Sequence, residues 1–115
     1  MKKPLLLASL IAASISFAPI TKANTMSLRI CEYVAANDKN RLRSFMKQNK
    51  LKIRNVFKNI KCNGQNLLVF AASNHALEAG EFIIGKISTK DVASNIEKVA
   101  KYSKHLEEEA KERIK

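Results

Sequence analysis

The stretch that decides the fold is "KCNGQNLLVFAASNHALEAGEFII" (Lys61–Ile84). Asn63-Gly64 reads as a turn, because both residues tolerate positive φ at little cost. Asn66 is a fair N-cap for a helix through Ala72, buried by Leu67, Leu68, Phe70 and Ala71. Asn74-His75 breaks that helix, and Leu77–Lys86 forms another with Leu77, Phe82 and Ile83 inward. Gly80 inside it costs ~1 kcal/mol relative to alanine, which predicts a close helix contact at that point. The apolar residues on both sides of the break recur at helical spacing, so the stretch is a helix pair.

The same pattern extends outward. Upstream, a helix is expected over Ser27–Ala36 with Leu28, Cys31, Val34 and Ala35 inward, ended by Asn37-Asp38. A second, Lys39–Gln48, places Leu42, Phe45 and Met46 on one face and basic residues on the other. Asn49–Lys61 is either a short helix lined by Val56, Phe57 and Ile60 or an extended loop anchored by them. Strand-like alternation is confined to Leu51-Lys52-Ile53. Downstream, Ser88 and Asp91 resemble a capping box. Val92, Ile96, Val99, Leu106 and Ala110 then form a narrow stripe with Ser103 in its gap. This predicts one long amphipathic C-terminal helix, supported by Glu97–Lys101, Glu107–Lys111 and Glu109–Arg113 pairs; its stripe either docks on its own domain, the favoured reading, or pairs with another chain. The expected fold is all-α: two helix pairs plus that helix.

The first residues read "MKKPLLLASLIAASISFAPITKA". Lys2 and Lys3 precede an apolar run, Leu5–Phe17, that is shorter than the ~20 residues of a membrane span. Small residues at Thr21 and Ala23 then suit a signal peptidase. This is the pattern of a secretory signal, with cleavage expected between Ala23 and Asn24 and a periplasmic or secreted product. The organisation is then a signal peptide over 1–23, a helical domain over 24–87 and the C-terminal helix over 88–115. No second stretch is apolar and long enough to span a bilayer. Two cysteines, Cys31 and Cys62, lie 31 positions apart. In an exported chain a disulfide is their simplest use, with free thiols or intermolecular pairing as the alternatives. The spacing suits neither a CxxC redox pair nor a zinc site, which needs two more ligands.

"VAANDKNRLRSFMK" (Val34–Lys47) and "FAASNHALEAGEFIIGK" (Phe70–Lys86) share a small-residue helix end, a polar turn and an apolar second helix. The second of these, with its turn, resembles an ankyrin repeat. Asn63-Gly64 stands at that family's turn, Asn66–Ala72 at its T-P-L-H-x-A-A segment, and Phe82, Ile83 and Ile84 at its leucine run. Asn66-Leu67 replaces Thr-Pro, Val69 replaces the histidine, and His75 stands in place of the turn glycine. The segments "ICEYVAANDKNRLR" and "CNGQNLL" also resemble an uncharacterised family of small exported proteins from gram-negative bacteria, a domain of unknown function. Ankyrin repeats imply protein binding, whereas the exported family implies compartment and a paired role for the cysteines. About three or more repeats are normally needed for a stable array. With two units, a Cys31–Cys62 bond would tie them together and the tail helix would act as a cap.

Charge is the remaining functional signal. Removing residues 1–23 removes three lysines, leaving 18 basic and 10 acidic residues, a net +8. Between positions 39 and 61 there are nine basic residues and no acidic one: Lys39, Arg41, Arg43, Lys47, Lys50, Lys52, Arg54, Lys58 and Lys61. Such density either attracts polyanions or is the solvated face of an ordinary basic protein. The expected partner is an acidic protein, or alternatively an envelope polyanion such as lipopolysaccharide, anionic lipid or polysaccharide. Nucleic acid is disfavoured, since only Phe45 and Phe57 are interleaved and both are better used as core. His75 and His105 read as a turn residue and an exposed helix residue rather than metal ligands. Glu107–Glu109 read as a solvated helix face, and Ser44 and Ser73 have no triad partners at recognisable spacing. No catalytic residue, metal or cofactor is expected. The reading is a non-catalytic binding or accessory module.

Overall fold

A computed structural model of the protein describes residues 22–115, and every regular element in it is an α-helix. The helices are α1 (Lys22–Ala35), α2 (Lys39–Gln48), α3 (Ile53–Asn59), α4 (Leu67–Ser73), α5 (Leu77–Lys86), α6 (Thr89–Ala100) and α7 (Lys104–Arg113). The expected all-α class is the observed one. The segment 1–21 lies outside the described residues, and Ala23 and Asn24 fall in the first turn of α1.

Three helix pairs stack side by side: α1 with α2, α4 with α5, and α6 with α7. The first members form one row, α1 against α4 and α4 against α6. The second members form another, α2 against α5 and α5 against α7. The short α3 is inserted between the first two pairs and packs on α5. A single core runs through the stack from Ile30 to Ala110. That core includes residues on both sides of position 87.

Local chemistry sets the punctuation. Asn63 (φ 54°) and Gly64 (φ 77°) make the turn before α4, closed by Cys62 and Gln65 exchanging N–H···O bonds of 2.8 and 3.0 Å. Asn66 caps α4 by accepting from the Val69 amide at 2.9 Å. Asn37, Lys50 and His75 all adopt left-handed φ, between 54° and 56°, just past α1, α2 and α4. At each of these ends the next two amides bond back to the last turn. His75 donates to the Ala72 carbonyl and Ala76 to Ala71, for example. This is the Schellman closure normally given to glycine. Asn37 also joins the pairs, its side-chain oxygen accepting from the Ala79 amide at 3.0 Å.

Several expectations need correction, among them Leu77, expected inward on α5 but 36% exposed at its first turn. In α1 the inward residues are Ile30 and Val34, both fully buried, with Cys31 half-buried beside them, while Leu28 is 59% exposed and Ala35 faces solvent. The i, i+4 pair Ile30/Val34 faces the core, and Leu28 falls outside that narrow stripe. The long C-terminal helix is in fact two. The chain breaks after Ala100, and the Ser103 hydroxyl caps α7 by accepting from the Leu106 amide at 3.1 Å. Val92, Val99, Leu106 and Ala110 are all fully buried. Folding back lets both halves of the stripe reach the core, which a straight helix would not do. Of the three expected ion pairs only Glu107–Lys111 forms, at 3.1 Å. Lys101 lies past the end of α6, and Arg113 donates instead to the Ile87 carbonyl at 3.1 Å.

The segment that allowed two readings is the helix α3, with Ile53, Val56 and Phe57 buried and Ile60 half-buried. Leu51-Lys52-Ile53 is no strand, and Lys52 is the extended residue before α3.

Candidate functional site

The nine basic residues of the 39–61 segment do not act as one surface. Arg43 and Lys47 on α2, Lys52 before α3 and Arg54 on α3 converge on a cleft of about 490 Å³. Lys86, from the last turn of α5, closes the far side. Its floor is apolar: Met46, Leu51, Ile53 and Phe82. No acidic residue lines the cleft, and none of its five cations is in an ion pair among the described residues.

Phe82 organises the rim. It is half-buried on α5, and the Arg43 guanidinium and the Lys86 ammonium each lie 5.7 Å from its ring centroid. At that distance the ring quadrupole attracts both cations, by ~0.5–1 kcal/mol at exposed sites. The ring thus favours a cation from α2 and one from α5 beside it, in a cleft whose lining has no acidic residue.

The other basic residues lie elsewhere. Arg41 pairs with Asp38 at 3.5 Å and borders a second, shallower groove with Tyr33 and Phe45. Lys39, Lys50, Lys58 and Lys61 line neither groove. Lys39 is half-buried and the other three are exposed. Phe45 packs edge-on to Tyr33, with centroids 5.7 Å apart, and Phe57 is buried, so both aromatics serve packing. Sequence reasoning missed Lys86 and placed Phe82 only in the core. Both lie more than 20 positions beyond the basic segment, and only the packing of α2 and α3 against α5 unites them with it.

Cys31 and Cys62 are joined in a disulfide with Cα atoms 5.8 Å apart, well within the span such a bond requires. It links α1 to the turn that leads into α4. Cys62 is buried and Cys31 half-buried.

His105 is less isolated than its sequence context suggests. Its Nε2–H donates to the Glu81 carboxylate across the α5–α7 contact. That hydrogen bond holds the imidazole above its usual pKa; desolvation opposes it, and the charges of Glu81, Glu109 and Glu108 add to the rise. The donor atoms of Glu81, His105 and Glu109 lie within 4.8 Å of one another, all on exposed side chains. The ion pair and its surrounding charge account for this grouping. His75 is an exposed turn residue, as expected. Among the described residues no helix is long and apolar enough to cross a membrane.

The model of the family described as "Protein of unknown function (DUF3718)" matches residues 30–94, more than half of the chain, and the chain belongs to that family. The match contains both cysteines and every residue of the cleft, whereas His105 and Glu109 fall outside it. No curated protein and no solved structure matches the chain significantly.

Proposed function

We propose that this member of the DUF3718 family is a non-catalytic binding or accessory module, exported to the periplasm, that receives an acidic protein partner on its basic cleft. The observation that carries the reading is the absence of any counter-charge: five cations converge on a cleft whose lining contains no acid. Uncompensated like charges repel one another, and an acidic ligand relieves that repulsion while gaining five opposite charges. Export is supported by the leader pattern of residues 1–23 and is compatible with the disulfide. The stacked helix pairs support an ankyrin-like scaffold, a type of array that presents extended surfaces to partners.

A second reading has its own support. Arg41, Lys50, Lys58 and Lys61 are exposed and lie outside the cleft, so positive charge also spreads over other faces. That distribution suits an envelope polyanion, with no protein partner.

Crosslinking of the protein in its own periplasm separates the two. The wild type is compared with a variant carrying Gln at Arg43, Lys47, Lys52 and Arg54. The module reading expects discrete crosslinked proteins that disappear in the variant. Capture of the same proteins by both removes the cleft as the binding surface. Capture of polyanion alone, weakening steeply with salt, favours the second reading.

A further inference from the structure

We infer that the cleft recognises an extended acidic peptide segment that places one apolar side chain on Phe82 between its carboxylates; this rests on the protein-partner reading above. The cleft combines two kinds of chemistry. The rim offers Arg43, Lys47, Lys52, Arg54 and Lys86, contributed by α2, the α2–α3 link, α3 and α5. The floor offers the half-buried Phe82 ring, with Met46, Leu51 and Ile53 beside it.

Each alternative ligand chemistry uses only part of this. A small inorganic anion engages the rim and leaves the aromatic floor wet. A lipid acyl chain needs an enclosed apolar cavity, whereas this cleft is open and only four apolar side chains line its floor. A polysaccharide meets the charges, but offers the floor only the flat C–H face of a sugar ring and no side chain to sit among Met46, Leu51, Ile53 and Phe82. A peptide with carboxylates on either side of a leucine or aromatic residue satisfies rim and floor together. The volume of about 490 Å³ falls within the ~300–1,000 Å³ typical of ligand clefts. Arg43 and Lys86, both beside the Phe82 ring, are placed to pair with carboxylates that neighbour a side chain inserted there. Charge then supplies the encounter and the Phe82 floor supplies selectivity.

The test compares two pools of fluorescein-labelled nine-residue peptides rich in Asp and Glu, one with Leu, Phe or Trp at the centre and one with Ser. Binding to the oxidised protein is followed by anisotropy at low and moderate salt, with phosphatidylglycerol vesicles as a third probe. The apolar-centred pool should bind about tenfold more tightly, a difference of ~1.4 kcal/mol. Phe82→Ala should remove that difference while leaving the salt dependence intact. Lys86→Gln should weaken both pools, and Lys58→Gln, outside the cleft, neither. The comparison of pools on the wild type needs no variant, so a folding defect in Phe82→Ala leaves the test standing. Equal affinity for both pools overturns the peptide inference and leaves the basic-surface reading in place. Binding of vesicles but of neither pool overturns both the inference and the protein-partner reading. Failure of all three probes does the same.

Discussion

Gly80 sets the distance between α5 and α7. A Cβ built there would lie 2.6 Å from Leu106 Cδ1 and 2.9 Å from Cδ2, well inside contact distance. Leu106 is fully buried, so its methyl groups have little room to retreat. Gly80→Ala gains about 1 kcal/mol of helix propensity. Overpacking of a filled core costs roughly 1–3 kcal/mol, so the core term prevails. Urea unfolding should show Gly80→Ala destabilised by about 1 kcal/mol. The same change in a Leu106→Ala background should be neutral or stabilising, because the obstructing methyls are gone. Additive effects would mean that the glycine has no packing role. A glycine inside a helix predicts a close contact from sequence alone, and the approach of Leu106 to Gly80 is that contact. At His75 the analogous signal is weaker. The sequence marks His75 as the break after α4 and as the occupant of a turn-glycine position, but its left-handed φ and the carbonyls closed around it emerge only from the fold.

At the scale of elements, Ser103 shows how a stripe of apolar residues can mislead. Val92, Val99, Leu106 and Ala110 sit at spacings that one continuous helix satisfies, and the serine looks like a harmless gap. In the folded chain it is the hinge. Its buried hydroxyl accepts from the Leu106 amide, and its own amide donates to the Val99 carbonyl at 2.9 Å. Ser103→Ala should cost about 1 kcal/mol, within the ~0.5–2 kcal/mol typical of a lost N-cap. Far-UV circular dichroism should stay close to wild type while the urea midpoint falls. An unchanged midpoint would show that tertiary packing alone turns the chain. Period-based reasoning cannot distinguish one helix from two when the break preserves the spacing, because the same residues share a face in either, and only the folded-back pair brings both halves of that face to the core. Asn66 and the helix pair beyond it were legible for the opposite reason. There the cap, the turn and the apolar run agree at every level. The cleft was legible only in part. Contiguous cations are visible in a sequence, but Lys86 and Phe82 join them through tertiary packing.

For the whole molecule, the tail pair changes what the disulfide is asked to do. Two pairs alone would leave the α4 and α5 faces uncovered, and α6 and α7 cover them as a third unit. The weak point lies instead between the first two pairs, where the insertion containing α3 separates α2 from α4 in sequence. Cys31–Cys62 spans that insertion, tying α1 to the turn before α4. Its loop of 31 residues corresponds to roughly 3–4 kcal/mol by chain-entropy arithmetic. Against a typical total of ~5–15 kcal/mol, that is a large share for a small domain. Urea denaturation of the oxidised protein, the reduced protein and Cys31→Ala/Cys62→Ala should therefore show the last two less stable by about 3 kcal/mol. The loss should fall most heavily on the first pair. Hydrogen exchange should quicken in α1 and α2 on reduction while α6 and α7 keep most of their protection, since the bond touches neither. Equal protection losses across all three pairs would mean that the array unfolds as one unit. No loss of stability on reduction would mean that core packing from Ile30 to Ala110 suffices without the bond.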